Sequence, residues 1–166
     1  FDETTSHDGI ADDKVRQGNI RARLRMITLY DLASKHKGLV ASTDNFSELA
    51  TGFWTLHGDV GDVSPIQALT KSWEVPALAE HLGVPRTIVE AVPTDGLGIA
   101  NGDEDQFGFS YLEFDIALFS IIRGDVDQTK LTDEDRAIVE AVADRVRSTT
   151  YKRTNPFNLS HPFDSV

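Results

Sequence analysis

The stretch STDNFSELATGFWTLHGDVGDVSPIQALTK (42–71) decides how this chain is read. The preceding residues, Gly38 to Thr43, have the apolar, β-branched character of a short buried strand. Asp44 and Asn45 can cap a helix expected over about 46–53. Residues 55–64 follow as a glycine- and aspartate-rich loop. In open α/β sheets, ligands bind beyond the carboxyl ends of strands. Thr43, Glu48, Asp59 and Asp62 all fall near such an end. Carboxylates beside small residues suit Mg²⁺ and a nucleotide phosphate, which need hard oxygen ligands and close backbone approach. Spacing alone, however, favours solvated carboxylates on an acidic surface. Lys71 could offset phosphate charge; taken alone, it reads as a solvated lysine at a helix start.

Upstream, 14–36 has helical periodicity with two apolar stripes. Ile20, Leu24 and Ile27 form one; Ala22, Met26, Leu29, Tyr30 and Ala33 form the other, which suggests more than one packing neighbour. Lys37-Gly38 ends the helix. Arg21 and Arg25 share a face, while Arg23 points elsewhere and could clamp an anion or join a surface salt bridge. Residues 1–13 read as an acidic loop or tail. Downstream, 70–82 is expected to be helical, with Pro76 tolerated near a first turn. A short helix over 86–91 comes next, then a long loop over 93–108. An aromatic buried helix spans 109–123, and a last helix starts at Thr132. Residues 149–166 read as an irregular tail. One strand among many helices cannot make a complete sheet, so the fold class is α/β with most of the sheet missing, in one domain over 1–166.

Sixteen Lys and Arg against 27 Asp and Glu give a net charge of −11. Such a surface repels nucleic acid and anionic membranes. No apolar run has a membrane-spanning length, and no signal peptide is visible. Cysteine is absent, which excludes disulfides and cysteine nucleophiles and fits a cytoplasmic location. The five histidines show no zinc-ligand spacing. There is no Walker A motif and no nucleophile elbow.

Taken together, GNIRARLRM (18–26), the 42–71 stretch, HLGVP (81–85), VPTDGL (92–97), DEDQFGFSYLEFD (103–115) and YKRTNP (151–156) resemble the ammonia-dependent NAD synthetases. The resemblance implies a Rossmann-like adenine nucleotide alpha hydrolase (ATP-pyrophosphatase) fold. It implies a cytoplasmic, homodimeric ligase that amidates deamido-NAD to NAD with ATP and Mg²⁺. By the same resemblance, Thr43, Lys71 and Thr94 match ATP-contacting positions, and Glu48 matches the Mg²⁺ carboxylate. Asn19, Arg23 and Asp62 match the deamido-NAD side. Asp59 matches an active-site loop aspartate, and Tyr151-Lys152 matches a C-terminal His-Lys pair that closes over substrate. Lys71, Asp59 and Lys152 are thus the expected catalytic groups. The chain departs from the pattern at Tyr151, in place of histidine, and at Leu56, in place of lysine. The loop over 59–65 is one residue shorter than the pattern. The family's Ser-Gly-Gly-x-Asp-Ser phosphate loop belongs upstream of Gly18 and is not in this sequence. The chain is therefore expected to be a C-terminal part, as its start at Phe1 also suggests. Two alternatives stay open: a related ATP-pyrophosphatase acting on another acid, and a non-catalytic nucleotide-binding module.

Overall fold

The structure is a computed structural model that describes residues 10–94, 102–124, 127 and 129–154. After a 3₁₀ turn at Ile10–Asp12, the described helices are α1 (Lys14–His36), α2 (Phe46–Thr51), α3 (Glu74–His81), α4 (Arg86–Val89), α5 (Asp103–Phe107), α6 (Tyr111–Arg123), α7 (Asp133–Ser148) and α8 (Thr150–Arg153). Local chemistry sets most of their ends. Asn45, Ser110 and Thr132 each form a reciprocal capping box, with Glu48, Glu113 and Asp135 respectively. Left-handed Lys37, Gly52 and Gly124 close α1, α2 and α6.

Several expected spans change. The strand expected over 38–43 is an extended segment with a single parallel bridge, Ala41 to Val63. Among the described residues there is no sheet ladder. Val40 and Ser42 are buried, whereas Leu39 is 71% exposed, so only one side of the segment is covered. The helix expected over 46–53 stops at Thr51, because Gly52 turns left-handed at φ 63. The helix expected from 70 begins only at Glu74, whose carboxylate accepts bonds from the Thr70 amide (2.7 Å) and hydroxyl (2.8 Å). That start places Pro76 in the first turn, where its missing N–H leaves no intrahelical bond unmade. The expected loop over 93–108 contains α5; its residues 95–101 lie outside the described set, as do 1–9 and 155–166. The expected irregular tail begins instead with the helical turn α8. Within this chain alone, Gly18 and Ala22 are the buried residues of α1, while Ile27, Leu29 and Leu32 are exposed. No described helix is long and apolar enough to cross a membrane.

The core lies where α6 meets α7. Phe114, Ala117, Leu118 and Val142 are buried there, with Phe46 and Ala50 of α2 packed against them. A polar knot anchors the 70–73 segment to this core. Fully buried Asp115 accepts a hydrogen bond from Ser47 Oγ, and bonds from the Ser72 amide (3.0 Å) and hydroxyl (2.7 Å). Ser47 Oγ in turn accepts the Lys71 amide at 3.0 Å. Three donors converging on one carboxyl group are the arrangement that makes burying so polar a group tolerable. The knot brings Lys71 beside α2, although the two are far apart in sequence.

Candidate active site

A cavity of about 330 Å³ opens beyond residue 43, where the extended segment runs into α2. Five sequence-predicted residues line it: Thr43, Glu48, Asp59, Lys71 and Thr94. Glu48 Oε1 lies 3.1 Å from Lys71 Nζ. The other Glu48 oxygen accepts the Asn45 amide at 3.2 Å, which completes the capping box. Glu48 therefore caps the start of α2 and faces a cation with one side chain. The Lys71 ammonium also sits 5.6 Å from the centre of the Tyr111 ring. Tyr111 is itself buried and donates its hydroxyl to buried Asp103 at 3.1 Å. Burial pushes the Tyr111 hydroxyl pKa upward, with Asp103 adding to the effect, so it stays a donor.

The loop over 53–62 forms the opposite wall, and close backbone approach shapes it. A Cβ on Gly61 would lie 2.6 Å from the Ser42 amide nitrogen and 2.7 Å from the Val40 carbonyl oxygen. Only glycine admits that approach, which allows the Asp62 amide to reach the Val40 carbonyl at 2.8 Å. Asp59 Oδ2 accepts the Thr55 amide at 2.8 Å, and the Thr55 hydroxyl donates to Asn19 Oδ1 at 2.9 Å. The loop is thus tied across itself and to α1.

The remaining predicted residues do not line this cavity. Asn19 holds Thr55, and Arg23 donates Nε to the Leu56 carbonyl at 3.1 Å. Asp62 accepts the Val40 amide at 2.9 Å. Lys152 donates its ammonium to the carbonyls of Gly52 (2.7 Å) and Trp54. Burial, and next the Arg145 guanidinium, lower the Lys152 pKa. Tyr151 is 58% exposed. Of the α1 arginines it is Arg25, not Arg23, that reaches the wall. The signal for it was the small pair Gly18 and Ala22, which marks the packed face at the helical spacing 18, 22, 25.

Sequence reasoning treated Asp44 only as a capping residue. Its carboxylate faces the cavity and accepts the Ser42 hydroxyl at 3.1 Å. Burial raises its pKa to about 6, the Ser42 bond opposes the rise, and the charges of Glu48 and Asp59 add to it. Trp54, Thr55 and Asp103 also line the wall and were not singled out. The site thus gathers four carboxylates and two cations around a polar cleft, a setting suited to an anion carried with a counter-cation.

The fold resembles that of two solved pyridine-nucleotide synthetases. An NMN synthetase from Francisella tularensis superposes with a TM-score of 0.75 at 31% identity, over 97% of this chain and 60% of that one. An NH3-dependent NAD synthetase from Campylobacter jejuni superposes with a TM-score of 0.70 at 27% identity, over 95% of this chain and 59% of that one. In sequence, the NH(3)-dependent NAD(+) synthetase of Chlorobium phaeobacteroides is 37% identical over 150 residues, covering 87% of this chain and 53% of the relative. The NAD synthase family model matches residues 1–156, and this chain belongs to that family. It spans about half the length of the curated relatives it matches.

Proposed function

We propose that the protein is an ammonia-dependent NAD synthetase, to which this chain contributes one wall of the ATP site. The observation that carries the reading is the Glu48–Lys71 pair, set in one cleft with Thr43, Thr94 and Asp59 in a member of the NAD synthase family. In the proposed reaction the nicotinate carboxylate of deamido-NAD attacks the α-phosphorus of ATP. Pyrophosphate leaves and a mixed acyl-adenylate forms. Ammonia then adds to the acyl carbon, AMP departs with the C–O bonding pair, and one proton is released. Carboxylates are poor electrophiles, so adenylation is what makes the carbon open to attack.

Lys71 is the cation placed to neutralise charge that grows on the phosphates. Its amide is pinned by Ser47, so the side chain is delivered from a fixed backbone. Thr43 and Thr94 bring hydroxyl groups to the same cleft, and Asp59 both stiffens the 55–59 turn and faces the cavity. Among the described residues, no group of three or more metal-type side chains forms a cage. The donor set fits a Mg²⁺ that arrives on the nucleotide, held by one or two carboxylates together with phosphate oxygens. Glu48 is the residue that would hold it, and the ion would supply Lewis-acid charge neutralisation. Asn19, Arg23, Asp62, Tyr151 and Lys152 are assigned to the deamido-NAD side. The exposed Val15, Ile27, Leu29 and Leu32 of α1 support a homodimer; a cytoplasmic location belongs to the same proposal.

A second reading concerns the acceptor. Tyr151 and Leu56 both depart from the family pattern on the substrate side, and one superposed relative is an NMN synthetase. The same chemistry would then act on the mononucleotide, which carries the nicotinate carboxylate without the AMP half. One experiment tests both readings: full-length protein is given ATP, Mg²⁺, ammonia and either acceptor, and products are separated by chromatography. Amide formation on deamido-NAD supports the first reading, and preference for the mononucleotide supports the second. Folded protein that binds ATP but amidates neither would overturn both in favour of a binding module.

A further inference from the structure

The C-terminal end of α2 is gripped from outside by two successive cations of α8. Like any helix end, α2 leaves carbonyls without intrahelical partners. Phe53 and Gly52 amides satisfy those of Glu48 (2.9 Å) and Leu49 (3.3 Å). The Ala50 carbonyl instead accepts Arg153 Nη1 at 2.6 Å, and the Gly52 and Trp54 carbonyls accept the Lys152 ammonium. Arg153 reaches the other way as well: Nη1 donates to Thr149 Oγ1 at 3.1 Å and Nη2 to the Val146 carbonyl at 2.5 Å. One planar fork therefore bridges the carbonyl ends of α2 and α7, where positive charge is favoured. Thr149 is pressed against Gly52 so closely that a Cβ there would lie 2.4 Å from its own Cβ.

Arg153 does not line the cavity, but what it holds does. Glu48 lies on the gripped helix, and Trp54, Thr55 and Asp59 follow directly from its end. We propose that Arg153 is a positioning residue for the synthetase reaction, locking the α2 terminus so that the 53–59 wall stands at a fixed distance from Lys71. This rests on the function proposed above. Lys152 cannot replace it: a single ammonium on a flexible stem reaches the α2 side alone, whereas the guanidinium spans both helix ends.

The test uses full-length protein carrying Arg153→Lys and Arg153→Ala, with steady-state kinetics and amide hydrogen exchange at Phe53. Wild type that forms neither pyridine amide defeats the proposed function, and exchange then judges the lock alone. Expected is a loss of kcat of about tenfold or more in both variants, with KM for ATP changed less than about threefold. Added guanidinium should restore part of the kcat of the alanine variant but not that of the lysine variant. Phe53 exchange should quicken at least tenfold in both variants. Unchanged kcat, or wild-type Phe53 exchange, would overturn the proposal. So would lost activity that merely follows the unfolded fraction and ignores guanidinium. If Arg153→Ala does not fold, Arg153→Lys decides by the same kinetic and exchange criteria.

Discussion

Replacing Gly52 by alanine tests how tightly the site wall is built. Gly52 has φ 63, and left-handed backbone costs an L-residue about 1–2 kcal/mol. The new Cβ would meet Thr149 Cβ at 2.4 Å, Oγ1 at 2.7 Å and Cγ2 at 2.8 Å. No rotamer clears all three, because the nearest is the Cβ itself. Relieving such overpacking costs about 1–3 kcal/mol. Alanine stiffens the unfolded chain, which offsets only about 0.4–1 kcal/mol. The net expectation is a loss of about 2–4 kcal/mol, read from urea unfolding of the full-length protein. The two terms separate in a double-mutant cycle. With Thr149→Gly as background, the clash is gone and Gly52→Ala should cost only about 1 kcal/mol. A Gly52→Ala protein within about 0.5 kcal/mol of wild type would refute the geometry, as would an equal cost in both backgrounds.

Asp44 carries the pH dependence. Its folded pKa, about 6, lies above the ordinary 3.8. The native state therefore resists ionisation: the stabilisation is full below about 3.8 and is lost as pH rises through 6. Asp44→Asn should raise stability at pH 8 by about 1–2 kcal/mol after discounting for partial solvent screening. The gain should vanish near pH 4, and a gain equal at both pH values in urea titrations would contradict the assignment. Lys71→Ala should cut kcat about 10²–10³-fold, since it removes the cation facing the phosphates. It should cost only about 1–2 kcal/mol of stability, from leaving Glu48 without its cation; amidation assays and unfolding curves report the two effects separately. Asp115→Asn puts one acceptor oxygen where three donors converge, and should destabilise by about 2–4 kcal/mol in thermal melts. A melt unchanged within error would show that the buried knot is not held by that carboxylate.

Much of this molecule was written in local sequence. The limits of α1, the cap at Asn45, the cap at Thr132 and the stop at Lys37-Gly38 depend on residues within four positions of one another, so a linear reading finds them. The family was legible because the 42–71 stretch packs so many polar positions into one local unit, α2 and the loop beyond it. Tertiary structure alone decided the rest. It turned the expected strand into one bridge, because pairing needs a distant partner, and Val63 is the one the described residues supply. It put Arg25 on the wall of the cleft, and made Asp44 a half-buried carboxylate among like charges. It also turned part of an expected irregular tail into α8, whose Lys152 and Arg153 hold carbonyls about a hundred positions away. Helix caps are settled by neighbours in the chain; burial and long-range charge pairing are settled only when the chain closes on itself.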